Sequence, residues 1–232
     1  MMVRAAYAAA VLAALVWLSA AGLTVVANPS FGAAPGKGGP AQANAGGRLV
    51  EGVVRDQDGH PVVQAVVYLP EAGAAPRRGR MPRQAVMDQV ARAFVPPALV
   101  VPVGTTVRFP NSDAIHHSVY SFSRAKRFEL GLFKGQGGAV TFDRPGEVKI
   151  FCSIHKNMAG LIVVVAHPYA AVTDARGRFA IRDVPEGAHA IRAAHIFAVG
   201  VTGRVTVGQG PARADLRLQV IAPGAPPGGG SY

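Results

Sequence analysis

The stretch FCSIHKNMAG sets Cys152, His155 and Met158 in the spacing C-x-x-H-x-x-M, and 35 positions before the cysteine His117 follows the turn PNSD. Along GEVKIFC the alternation of a strand puts Val148, Ile150 and Cys152 on one face, so the thiol points inward at the strand's end. The next turn then brings His155 and Met158 back toward the sulfur. Two imidazoles and a thiolate in a trigonal set, with a weak thioether on the axis, is the combination that suits copper in an electron-transfer site. Thiolate and thioether are soft enough for Cu(I), imidazole serves both valences, and strands hold the donors so that the valence changes with little movement. Zinc is the competing ion, held by Cys152, two histidines and Asp113 as fourth ligand. Met158 argues for copper, because a thioether offers zinc nothing useful. A Cys152–His155 nucleophile pair is the remaining use, but it requires an exposed thiol.

Such donors need a rigid frame, and the rest of the chain supplies strands. Of 232 residues, 50% are hydrophobic, with 28 Gly and 18 Pro, a folded and turn-rich profile that excludes collagen, coiled coil and wholesale disorder. LVEGVV leads through DQDG into PVVQAVVYL, a hairpin-like pair; VVPVGTTVRFPNSD reads as one strand ending in a turn, and HHSVYSFS begins another. AVTF, GEVKIFC, GLIVVVA, GRFAIRDV, HAIRAAH, GRVTVG and ADLRLQV continue the pattern, separated by DARG, PEG and GQGP. No segment past residue 30 has the period of an amphipathic helix. The mature protein is therefore expected to be all-β, with sandwich packing.

The first residues read as an export signal. Arg4 precedes an uncharged run of 23 residues, Ala5 to Ala27, with Val25 and Ala27 placed for cleavage and Ser19 and Ala21 offering an earlier site. The run is also long enough to span a bilayer as an uncleaved anchor helix. Residues 28–47 are a Gly, Ala and Pro tether, and the tail 222–232 is similar. With one cysteine in the chain there is no disulfide framework, and in an oxidising compartment a lone thiol is a liability unless something holds it. The formal charge of +11 permits anionic partners. Nucleic acid is not among them, since basic residues are not interleaved with aromatic ones and the chain is exported. Residues 71–85 carry Arg77, Arg78, Arg80 and Arg83, either a solvated connection or a docking patch for an acidic partner.

FCSIHKNMAG, preceded by PNSDAIHHSVYSF, resembles the cupredoxins, and its short ligand loop is most similar to amicyanin and plastocyanin-like domains. The wider run with QAVMDQ, FVP, VPVGTTVRFPNSD, KRFEL, FDRPG and CSIH resembles the exported cupredoxin-domain proteins labelled methylamine utilization proteins, over residues 86–166. The resemblance implies one type 1 (blue) copper ion in a Greek-key β-sandwich, with metal ligands His117, Cys152, His155 and Met158. His116 stands beside His117 where the relatives have proline, so the choice between adjacent imidazoles is open, His117 being favoured by its register with Val119. Asn111 falls in the turn that braces the upstream histidine in that family, the plain alternative being a simple turn residue. The segments 48–70 and 167–221 resemble two halves of a carboxypeptidase-regulatory-like domain, a small β-sandwich into which the copper domain would be inserted.

The resemblance implies a periplasmic one-electron carrier that accepts and donates through the edge of His155, and no enzyme. Phe151 and Ser153 flank the cysteine, where copper oxidases and nitrite reductases need histidine. The alternatives are a module for copper storage, delivery or sensing, and a structural or adhesive protein with a vestigial site. Arg124, Lys126, Arg127, Lys134 and Lys156 lie near the ligands in sequence and suggest an acidic redox partner; the plain alternative is solubility. His60, His167, His189 and His195 read as ordinary turn and rim residues.

Overall fold

The computed structural model of the protein describes residues 48–72 and 83–221. The signal or anchor segment 1–27, the tether 28–47, Arg77, Arg78 and Arg80, and the tail 222–232 lie outside the described residues. The first strands are β1 (Arg48–Asp56) and β2 (Val66–Tyr68). A central run comes next: β3 (Gln84–Val86), β4 (Asp88–Val90), β5 (Ala93–Val95), β6 (Ala98–Pro102), β7 (Thr105–Asn111), β8 (His117–Ser121), β9 (Phe128–Phe133), β10 (Gly135–Phe142), β11 (Gly146–Phe151) and β12 (Ala159–Val165). The last are β13 (Ala170–Val172), β14 (Arg178–Val184), β15 (Gly187–Ala194), β16 (Ala198–Val199), β17 (Val201–Val207), β18 (Ala212–Arg213) and β19 (Leu216–Val220). The protein is all-β: no helix occurs among the described residues.

Among the described residues, the central strands hydrogen-bond to one another and the flanking strands to one another. The central run forms two sheets, β10-β7-β4-β5 with β3 beside β7, and β6-β12-β11-β8-β9. Between them lies a core that includes Met87, Phe109, Phe142, Val148, Ile150 and Ile162. The flanking strands make β14-β1-β19-β16, with β18 on β1, and β13-β2-β15-β17, around a second core that includes Val50, Leu69, Tyr169, Ile181 and Ile191.

A third apolar cluster takes residues from both strand sets: Val66, Tyr68 and Ala194 from one, Ala98, Leu161 and Val163 from the other. It explains why the sequence of β12, AGLIVVV, is apolar without alternation. All seven residues are buried, Ile162 and Val164 in the central core and Leu161, Val163 and Val165 in the third cluster. A strand covered on both faces has no polar side to show.

Two sequence expectations are corrected. β1 and β2 do not form a hairpin. The chain reverses at Asp56, whose Oδ1 accepts the N–H groups of Asp58 (2.9 Å) and His60 (2.8 Å), and a lone bridge joins Arg55 to Pro61. β2 then enters the other flanking sheet between β13 and β15, because all three of its residues are buried and require neighbours on each side. VVPVGTTVRFPNSD is likewise two strands. The turn at Gly104, at φ 86°, carries the chain from β6 in one central sheet to β7 in the other.

Candidate metal centre

Three adjacent strands of one sheet, β8, β11 and β12, present their ends at the same place. His117 opens β8, Cys152 follows the last residue of β11, and Met158 precedes the first residue of β12. β11 runs antiparallel to both neighbours, with Phe151 opposite Tyr120 on one side and Ala159 on the other. Antiparallel pairing therefore brings the start of two strands beside the end of the third. The loop between Cys152 and Met158 is closed by its own backbone: Cys152 N–H donates to Met158 O at 3.1 Å and Met158 N–H to His155 O at 2.9 Å.

That closure turns the ring of His155 toward the sulfur. Cys152 Sγ lies 3.6 Å from His155 Nδ1 and 3.9 Å from His117 Nδ1, and the two Nδ1 atoms are 3.0 Å apart, the rings meeting edge to face at 62°. Val148, Ile150 and Cys152 are all buried, as the alternation along β11 requires. Met158 is buried in the same apolar cluster as Cys152. His117 is 0% exposed while His116 is exposed, so the adjacent imidazoles separate into one inside and one outside. The buried thiol does not suit attack on an external substrate.

Electrostatics at the thiol derive from its neighbours. Burial pushes Cys152 up, but the backbone N–H groups of Ser118 and Ile154 and the two imidazoles outweigh it and bring the group down to about 6. A thiolate is thus available at neutral pH, which is the form that ligates. Ser118 also ties β8 to the cysteine strand: its Oγ accepts Ser153 N–H at 2.8 Å and lies 2.8 Å from Ser153 Oγ. Ser118 and Ser153 were not legible as site residues; their signal is that each directly follows a donor, His117 or Cys152.

The loop before β8 is braced as a unit. Asn111 Nδ2 donates to the carbonyls of Ile115 (2.9 Å) and Phe133 (2.8 Å), and its Oδ1 accepts Asp113 N–H at 3.1 Å. Asn111 thus holds the loop, and the ring of His117 is held by Asp113, whose Oδ2 is 2.8 Å from His117 Nε2. Asp113 therefore addresses the nitrogen that faces away from the sulfur, and the role of fourth zinc ligand falls away. Burial would raise the Asp113 carboxyl, but the Arg92 N–H, the His117 ring and the Ala91 N–H hold it below the usual carboxylate range.

No family model matches the chain, and no curated protein matches it. Parts of the chain are similar to several solved structures. A copper-containing nitrite reductase from Thermus scotoductus SA-01 is 29% identical over 40% of this chain and 25% of its own, at a TM-score of 0.34; the chain thus spans a quarter of that protein's length. A purple cupredoxin from Nitrosopumilus maritimus is 28% identical over 34% of this chain and 98% of its own, at 0.31. The P94F mutant of amicyanin is 25% identical over 42% and 97%, at 0.33. What the site can hold is decided by its own atoms.

Those atoms fit copper: a buried thiolate and two imidazole nitrogens converge on one point beside a buried thioether residue, a soft and borderline donor set held by strand ends. A second gathering, Asp56, Asp58 and His60, is largely exposed, and its most buried member is occupied within its own turn. Of the basic residues near the ligands in sequence, Arg124, Lys126 and Arg127 lie in the β8–β9 connection, at the opposite end of β8 from His117, with Lys126 paired to Asp143 at 3.1 Å; Lys134 and Lys156 are exposed at the ligand end.

Proposed function

We propose that the chain is an exported, cupredoxin-type carrier of single electrons, with one copper ion held by His117, Cys152 and His155 and by Met158 as weak axial donor. The observation that carries this reading is the convergence of Sγ and two Nδ1 atoms within 3.9 Å in a buried place framed by three strands. When bound, copper supplies a one-electron couple between its cupric and cuprous states. The protein's part is to exclude water, to offer a thiolate at neutral pH, and to fix the donors so that neither valence demands rearrangement. His155 is partly exposed and stands beside Ile154, 51% exposed, which makes its ring edge the natural point of electron exchange.

In the same reading, residues 86–166 are a copper domain inserted in a carboxypeptidase-regulatory-like sandwich formed by 48–70 and 167–221. Residues 71–85 are a basic connection, and 1–27 serve as signal or tether to the periplasmic membrane. The partner is an acidic redox protein, met at the ligand end by the exposed Lys134 and Lys156. Electron-transfer rates should then fall as ionic strength rises, and a flat response removes the steering.

The deciding experiment is the visible and paramagnetic spectrum of the full chain loaded with Cu(II). Intense colour from a sulfur-to-copper transition, lost in Cys152→Ser, with reversible cycling between valences, is the expected result. Copper bound without colour, or released on reduction, supports a storage or delivery role instead. No uptake, with Cys152 freely alkylated, leaves a structural protein.

A further inference from the structure

The ring of His117 is held from behind by a carboxylate that is itself unusually fixed. Asp113 Oδ1 accepts the N–H of Ala91 at 2.7 Å, and Oδ2 accepts both the N–H of Arg92 at 2.9 Å and the Nε2–H of His117 at 2.8 Å. Ala91 and Arg92 form the turn between β4 and β5, and both have left-handed backbone, φ 51° and 60°, without being glycine. A turn of that kind persists where neighbouring groups hold it, and here the two N–H donors close on one carboxylate. The carboxylate is thus anchored by a different sheet from the one that carries His117.

A carboxylate can only accept, so Nε2 of His117 carries the proton and Nδ1 keeps its lone pair. The 3.0 Å contact between the two Nδ1 atoms then has one polarity: His155 Nδ1–H donates to His117 Nδ1. We infer that Asp113 is the positioning residue of this site: it sets the tautomer and aim of His117, and its negative charge behind the ring favours the more highly charged, cupric state. The inference rests on the copper reading for its second half only. A carboxylate on the far nitrogen makes the near one a better donor, and the gain is larger for a divalent than for a monovalent ion. The structure puts a carboxylate behind His117, whereas the contacts of His155, the exchange edge, are the Cys152 sulfur and His117 itself.

The test uses the full chain with Asp113→Asn, which removes the charge while an amide oxygen can still meet His117, and Asp113→Ala, which removes both. In the metal-free protein, nitrogen NMR of the His117 ring is expected to show the Nε2–H tautomer in the parent and a mixture in Asp113→Ala. A parent ring protonated on Nδ1 overturns the positioning role. In the copper-loaded protein, Asp113→Asn should lower the cupric-to-cuprous affinity ratio about tenfold, read as a rise of about 59 mV in a one-electron potential, with absorption bands unmoved because the donors are unchanged. A potential equal to the parent's overturns the charge effect. Should the parent take up no copper, the proposed function fails, while the tautomer measurement still decides whether Asp113 aims the ring. If Asp113→Asn does not fold, the same substitution is made with Arg92→Gly, which relieves the left-handed turn that the carboxylate helps to hold.

Discussion

Cys152 shows how a single side chain can be read from spacing and yet be understood only from its surroundings. Its inward direction comes from alternation along GEVKIFC, and its companions from the loop spacing. Its acidity does not, because that depends on the N–H groups of Ser118 and Ile154, one of them from a strand more than thirty positions away. In the metal-free protein, thiolate absorbance in the ultraviolet should titrate with a midpoint near 6. The folded-state value lies below the ordinary 9.0, so the thiolate contributes stability that is present above that ordinary value and lost as pH falls through about 6. His116→Ala should leave copper affinity and colour unchanged, whereas His117→Ala should lower affinity by tenfold or more, both read by metal titration. Asp113 was visible as a residue able to bind a metal, but its actual role depends on the β4–β5 turn, whose left-handed backbone at Ala91 and Arg92 no glycine or asparagine announces in the sequence.

Strands were more legible than their partners. Alternation located β7, β11, β14 and β19, since each has one face on a core and one toward solvent or a polar layer. Pairing was misread where burial is two-sided, as in β2, because an all-apolar segment carries no sign of which sheet it joins. β10 adds a position that the sequence states only as another glycine. Gly137 has φ 61°, and a Cβ there would stand 1.9 Å from the carbonyl oxygen of Phe109 on β7, at the irregularity between Gly135 and Gly138. Gly137→Ala should therefore cost about 2 kcal/mol or more, measured by denaturant unfolding. Ile162→Ala on β12 should cost about 2–5 kcal/mol by the same assay, since the residue is 0% exposed in the central core.

The two strand sets meet through polar groups as well as through the third apolar cluster. Glu147 on β11 accepts from Arg192 Nε at 2.6 Å and from Tyr68 O–H at 3.1 Å, and Lys149, two residues on, reaches Ala198 O at 3.4 Å. Glu147→Ala leaves both of its donors without that acceptor and should lower the unfolding midpoint by the equivalent of about 1–3 kcal/mol. His195 packs beside Phe197, and burial together with the Lys149 ammonium brings its ring down to about 4. Between 6.5 and about 4 the unfolded chain takes up a proton that the folded chain refuses, so stability falls across that window by at most about 3 kcal/mol and levels off below it. His195→Gln should flatten that part of a melting-temperature profile against pH. None of the hydrogen bonds between the two sets could be read from sequence, because each joins residues at least 45 positions apart that share no motif. The doubly covered β12 has a practical corollary. Anyone who clones residues 83–166 alone as a minimal metalloprotein will strip the coat from Leu161, Val163 and Val165, and the product should clump until those three are recoded as hydrophilic side chains.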